Sequence, residues 1–310
     1  MLRLSLFLLA LAVASVAVGA GGFLFAEGAD PDLLAVSRLP RTVAAILTGA
    51  GLAIAGLIMQ TLARNRFVDP MVAGGGQSAA LGILIATLVA PGAAIAVKMI
   101  ASTVAALAGS ALFLAMAHRL PARDPYLLPL VGIVFGGVIG ALATAIAWRA
   151  DLIQFLEIWM SGEFSGVMQG RYELLWLSAV FMALAWWAAD RLTIFSLGRE
   201  ASISLGLNYR NTRRLGLVVV AVIAGSSVVT VGILPFVGLI APALISEWKG
   251  DDVRRAIPLV GLTGAILVLL SDLLGRLIIH PYEVPAEVVL GVVGAVFFLL
   301  ILLRRTPRHA

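Results

Sequence analysis

Two pairs of charged residues stand where charge is costly. Arg38 and Arg41 lie three apart around Pro40, and Asp272 and Arg276 lie four apart late in the chain. Arginines at that spacing project from one helical face. Such a pair can anchor a helix end among lipid headgroups, or grip partner carboxylates through the guanidinium fork. Asp272 and Arg276 fall one helical turn apart, which suits a mutually neutralising structural pair. A charge within a membrane span also marks ion or proton pathways, but a proton relay needs more carboxylates than these spans hold. Other chemistry is missing. The only lysines are Lys98 and Lys249, and neither belongs to a phosphate-binding G-x-x-x-x-G-K-[ST] loop. His118, His280 and His309 are scattered, without metal-ligand spacing. There is no G-x-S-x-G nucleophile elbow and no cysteine. The reading is therefore of a chain that is not an enzyme and holds no metal or cofactor.

The elements that must carry these residues are membrane helices. Of 310 residues, 61% are hydrophobic and 13% charged, with a mean hydropathy of +1.05. Soluble domains carry about 25% charged residues, and no single core of this size hides so much apolar surface. Backbone groups in lipid must be satisfied within helices or a closed barrel. The apolar runs are near twenty residues, rich in Leu, Ala, Val and Gly, and lack the alternation of barrel strands.

Applying a span length of about 20 residues predicts an all-α polytopic protein with ten transmembrane helices. They are Leu4–Phe25, Thr42–Leu62, Gly76–Ala90, Ala94–Met116, Leu127–Trp148, Tyr172–Ala189, Leu215–Leu234, Val237–Trp248, Leu259–Ile279 and Val288–Leu303. The first run is too long for a signal-peptide core of about 7–15 residues, so it reads as an uncleaved span. Asp151–Met160, with Asp151 and Glu157, reads as a short amphipathic helix on the periplasmic surface. The whole chain, 1–310, reads as one transmembrane domain.

Charge orients it. One side keeps only Arg38, Arg41, Lys98, Arg149, Arg171 and Arg276, against sixteen basic residues on the other. The positive-inside rule then places both termini in the cytoplasm of a bacterium with an inner membrane. The positive charge is scattered over short loops, which argues against nucleic acid. The longest cytoplasmic loop, Ser196–Arg214, is organised: a helix-capable piece Glu200–Leu205, a break at Gly206, and a basic piece Tyr209–Arg214. A solvated basic loop near anionic lipid accounts for the charge alone, whereas a rigid docking surface accounts for the patterning.

Five stretches resemble the FecCD-type permeases, the membrane subunits of importers for ferric siderophores, haem and cobalamin. RLPRTVAAILTGAGLAIAGLIMQTLARNRFVDP (38–70) matches the family's R-x-P-R helix start, M-Q pair (Met59, Gln60) and N-x-x-x-D/E-P exit. IWMSGEFSGV (158–167), SLGREASISLGLN (196–208), GILPFVGLIAPALI (232–245) and the C-terminal run from Ser271 follow in order. Three departures stand out. The family's P-H-x-x-R reads Pro242 to Ser246, Glu287 replaces the glycine of E-x-P-x-G, and Val296 replaces a proline. The form Asn65-Arg66-Phe67-Val68 most resembles the branch that handles ferric catecholate siderophores.

The resemblance implies a type II ABC importer fold and the permease role, with iron chelate as substrate and haem or cobalamin as alternatives. A self-sufficient secondary transporter is the competing class. It implies a dimer with a second copy or sister permease, two ATPase subunits that carry the ATP and Mg, and a periplasmic binding protein. Arg38, Arg41 and Arg276 would seat acidic residues of that binding protein. Asn65 and Phe67 would form a cytoplasmic gate. Gly198, Glu200, Ala201, Leu205, Gly206 and Arg210 would couple to the ATPase.

Overall fold

The computed structural model describes residues 1–19, 22–23, 32–117, 127–249 and 252–304. The chain runs through α1 (Leu2–Ala17), α2 (Leu39–Ala63), α3 (Gly76–Val89), α4 (Ile95–Ala117), α5 (Leu127–Arg149), the short α6 (Ile153–Met160), α7 (Leu175–Trp187), α8 (Ala189–Ser196), α9 (Arg199–Ser204), α10 (Tyr209–Val231), α11 (Val237–Lys249), α12 (Val253–Ile278) and α13 (Ala286–Arg304). Among the described residues five helices are long and apolar enough to cross a membrane, and α7 with α8 forms a sixth segment bent by 60°. The shorter apolar helices α1, α3, α11 and α13 occupy the remaining predicted runs, an arrangement compatible with ten spans. Of the scattered histidines and the cytoplasmic basic residues, His118, Arg119, Arg123, Arg305, Arg308 and His309 lie outside the described residues.

Helix α2 is the axle of the fold, flanked by α7, α10, α11 and α12. Lipid gives helices no hydrophobic reason to associate, so close backbone contact must supply the attraction. Gly49 and Gly264 meet face to face across α2 and α12, and Gly56 meets Gly238 across α2 and α11. A Cβ at Gly49, Gly56 or Gly264 would collide with the facing backbone, and one at Gly238 would meet the ring of Pro70. The glycines of the second run are thus packing residues.

Two prolines shape the core through the carbonyls they release. A proline inside a helix removes one N–H and strands the carbonyl four residues back. Pro40 follows a π-helical turn, Leu34–Arg38, and the Val36 carbonyl instead accepts from the Gln169 N–H at 2.9 Å. Pro242 lies inside α11, and the Gly238 carbonyl accepts from Gln60 Nε2 at 3.1 Å. Gln60, the polar half of the M-Q pair, therefore completes the backbone of a neighbouring helix.

The first span departs from expectation. Helix α1 stops at Ala17, and Val18–Gly19 then pairs antiparallel with Gly22–Phe23. The apolar run continues, but Gly19, Gly21 and Gly22 weaken helix propensity. Two arginines also take up the last carbonyls of α1. Arg38 Nη1 donates to the carbonyls of Val16 and Ala17 at 3.2 Å each, and Arg276 Nη1 donates to those of Ser15 at 3.0 Å and Val18 at 2.6 Å. Cations at a helix C-terminus also complement its dipole.

Candidate functional site

At the end of the molecule where α2 begins and α12 finishes, four charged side chains form one network. Arg41 uses both edges of its guanidinium. Nη1 and Nη2 donate to Glu283 Oε1 and Oε2, each at 2.9 Å, while Nε and Nη2 reach Asp272 Oδ1 at 3.2 and 2.7 Å. The other oxygen of Asp272 pairs with Arg276. Arg276 also bonds Ser15 Oγ at 2.7 Å, and Ser15 meets the Thr42 hydroxyl at 2.8 Å. The expected Asp272–Arg276 pair is therefore present, and Arg41 joins it from α2.

This geometry bears on the expectation that Arg38, Arg41 and Arg276 seat a binding protein. Arg276 is only 4% exposed; its guanidinium faces α1 and Asp272 and presents no free fork to a partner. Arg38, which caps α1, and Arg41, which binds Glu283, lie nearer the surface. Glu283, which completes the network through Arg41, is absent from the expected set. Its signal was a carboxylate between Pro281 and Pro285, close after a span with arginine in its last turn.

The loop before α13 is pinned by a second carboxylate. Glu287 Oε2 accepts from the Gly162 N–H at 3.0 Å and Oε1 accepts from Ser161 Oγ at 3.3 Å, while the Glu287 N–H donates back to the Gly162 carbonyl at 2.9 Å. Ser161 also bridges to Ile233. The departure from the family's glycine thus has a local purpose, tying three of the recognised stretches together.

At the opposite end, α2 stops at Arg64, which adopts the left-handed conformation at φ 52°. Asn65 follows, nearly buried, and its Oδ1 accepts from the Phe67 N–H at 2.9 Å. Phe67 meets Phe298 of α13 edge to face, with ring centroids 6.0 Å apart. These residues line a cavity of about 380 Å³ together with Gln60, Ser196 and Ser246. Asp69 ends this stretch, fully enclosed, with Oδ1 accepting from the Met71 N–H at 2.7 Å. Burial pushes its carboxyl up to about 6, against the pull of that hydrogen bond.

A raised carboxyl favours folding while protonated. The stabilisation is complete below the ordinary aspartate range and is lost as pH rises through about 6. Asp69→Asn keeps the acceptor for Met71 and removes the charge. It should leave thermal stability near pH 4 unchanged and raise it at pH 8 by a margin on the order of 3 kcal/mol. Unfolding curves of the detergent-solubilised protein at both pH values check this, and equal shifts at both would contradict it.

Beside the cavity lies the 196–214 segment. Gly198, at φ +105°, precedes α9, and Gly206, at φ +80°, follows it. Both conformations suit glycine, so the expected breaks are where they were read. Ser202 is buried and donates to the Ile194 carbonyl at 2.8 Å; Asn208 caps α10 by accepting from the Asn211 N–H at 3.1 Å. Phe195 stacks on Tyr209 at 4.2 Å. With its inner face fixed, the segment turns Glu200, Ala201, Ile203, Leu205 and Arg210 outward. The guanidinium of Arg64 lies so close over Gly198 that a Cβ there would collide with it, which joins the end of α2 directly to the start of α9.

The sequence profile of the FecCD transport family matches residues 2–304. The chain belongs to the FecCD family. Similar members include the petrobactin import system permease protein YclN of Bacillus subtilis, 42% identical over 89% of this chain and 87% of that one. The ferric-anguibactin transport system permease protein FatD of Vibrio anguillarum is 37% identical over 86% of this chain and 85% of its own. Among solved structures, a metal-chelate type ABC transporter in an inward-facing conformation superposes with a TM-score of 0.85 at 23% identity, covering 98% of each chain. That likeness speaks for the fold. The FecCD chain is thus a multi-pass membrane permease of the ABC importer type, as its motifs implied.

Proposed function

We propose that this chain is the membrane subunit of an ATP-driven importer that passes a ferric siderophore from a periplasmic binding protein to the cytoplasm. The observation that carries the reading is the 196–214 segment. It is braced from within and offers an apolar, charged outer face, as a surface gripped by a separate ATPase must. In the spans, charge is concentrated in Arg41, Asp272 and Arg276, which Glu283 brings to neutrality, and the described residues offer no chain of carboxylates for an ion gradient to drive. The iron chelates named for the petrobactin and anguibactin relatives supply the substrate class.

The working assembly is a pair of permeases, two copies or sister chains, with two ATPase subunits that hold ATP and Mg. Both termini and the 196–214 segment face the cytoplasm. Docking of the binding protein falls to Arg38 and Arg41. Arg41 reaches an incoming carboxylate by exchanging Glu283 for it, while Asp272, backed by Arg276, holds the other edge of its guanidinium. At the cytoplasmic face, displacement of α9 pushes through Gly198 on Arg64. Asn65 and Phe67 move with it and open the cavity past Phe298.

Uptake of radiolabelled ferric catecholate siderophore by cells lacking this chain, and by cells carrying it on a plasmid, tests the substrate. The chelate should accumulate only in the complemented cells, with haem and cobalamin uptake the same in both. Loss of cobalamin or haem uptake instead would move the assignment to those substrates.

A further inference from the structure

An apolar groove of about 430 Å³ runs along the outside of the bundle between α1, α2, α7 and α12. Helix α12 lines it with Ile257, Pro258, Gly261, Leu262 and Ala265, and small residues of α2 and α7, Ala50 and Ala183, deepen it. Every lining side chain is apolar. Arg254 belongs to the same face of α12, since 254, 257, 258, 261, 262 and 265 follow the helical i, i+3, i+4 rhythm. It stands 5.5 Å from the ring of Trp186, which closes the groove at that end, and it pairs with Asp190. Arg255 beside it is 82% exposed and holds Asp252 at 3.3 Å, and Arg191 lies over Trp187 at 4.9 Å.

We propose that this groove holds an acyl chain of an anionic phospholipid, whose phosphate sits at Arg254 and Arg255. The dimensions fit: Arg254 to Ala265 spans about 16 Å at 1.5 Å per residue, and one leaflet of a hydrocarbon core of about 30 Å is half that thickness. Chemistry runs in the same order as in a lipid, with an aliphatic trough, an indole at the interfacial level and guanidiniums beyond it. The mouth carries three arginines against two aspartates. Its exposed pairs are weakly held, so a phosphate can compete for their guanidiniums. The site touches α2 and α12, the two helices that carry the charged network at the far end. On the orientation proposed above, the lipid belongs to the cytoplasmic leaflet.

The full transporter, released from membranes in mild detergent and exposed to mixed phosphatidylglycerol and phosphatidylethanolamine micelles, is examined by native mass spectrometry. One phospholipid should remain per permease chain, enriched in phosphatidylglycerol over the supplied mixture. Ala183 is exposed, so Ala183→Phe can fill the groove without disturbing the core; it should lower retention at least about tenfold. Arg254→Gln with Arg255→Gln should abolish the phosphatidylglycerol preference while lipid is still held. Val138→Phe, on an exposed apolar face elsewhere, should change neither. Retention unaffected by Ala183→Phe overturns the proposal, as does a loss of subunit assembly in that variant with lipid count unchanged, which would assign the groove to protein. An unchanged lipid preference in the double arginine variant overturns the headgroup assignment. Bound lipid is read without transport, so an error in the substrate or in the energy source leaves these outcomes intact.

Discussion

Asp272→Ala will destabilise the folded protein by about 3–5 kcal/mol, the range for breaking a buried ion pair by deleting one partner. The side chain of Asp272 is 2% exposed and that of Arg276 3%, so the loss leaves guanidinium charge buried beside the end of α1. Arg41 keeps its two bonds to Glu283 but loses those to Asp272. Asp272→Asn retains an acceptor and should cost less. Glu283→Gln should cost least, since Glu283 is more exposed and its loss leaves Arg41 bound to Asp272. Thermal unfolding of the three purified variants should rank them in that order. If Asp272→Ala unfolds at the wild-type temperature, the network is not the structural clamp that the geometry describes.

Gly198→Val should abolish substrate uptake while ATP hydrolysis by the assembled transporter continues. The substitution acts twice at one point. A branched side chain at φ +105° is strained, at a cost of order 1–3 kcal/mol, and its Cβ occupies the space of the Arg64 guanidinium. Arg64→Ala in the same chain relieves the collision but removes the contact as well, so uptake should stay abolished if Arg64 transmits the motion. Leu205→Asp, on the outer face of α9, should act differently by releasing the ATPase itself. Copurification of the ATPase and uptake, measured together for the variants, separate the two effects. Full uptake by the Gly198→Val protein would remove the proposed link between α9 and the gate.

Much of this was legible in the sequence because membrane helices are selected by length and apolarity, two properties that need no tertiary context. The breaks around α9 were readable for a related reason: Gly198 and Gly206 sit where the backbone demands a positive φ. Asp272 with Arg276 was readable from helical spacing alone. What spacing could not reveal is which distant groups complete a charge. Arg41 finds Asp272 and Glu283 more than two hundred residues away, and this turns an expected outward seat into a mostly internal clamp. The end of α1 was misjudged because apolarity persists beyond Ala17, whereas the helix ends where Arg38 and Arg276 donate to its last carbonyls. Gln60 and Glu287 were visible as motif residues, one conforming and one departing, but their roles depend on Pro242 and Gly162 in other elements.

The central claim is that this chain conducts a ferric chelate only when a separate ATPase drives it. Proteoliposomes containing the chain with its ATPase, supplied on the outer side with the loaded binding protein and charged inside with ATP and Mg, test it by counting labelled chelate taken up. The account predicts accumulation with ATP and none when either ATP or the ATPase is omitted, even under an imposed proton or sodium gradient. Uptake that persists without the ATPase and follows the gradient would contradict it and make the chain a self-sufficient transporter.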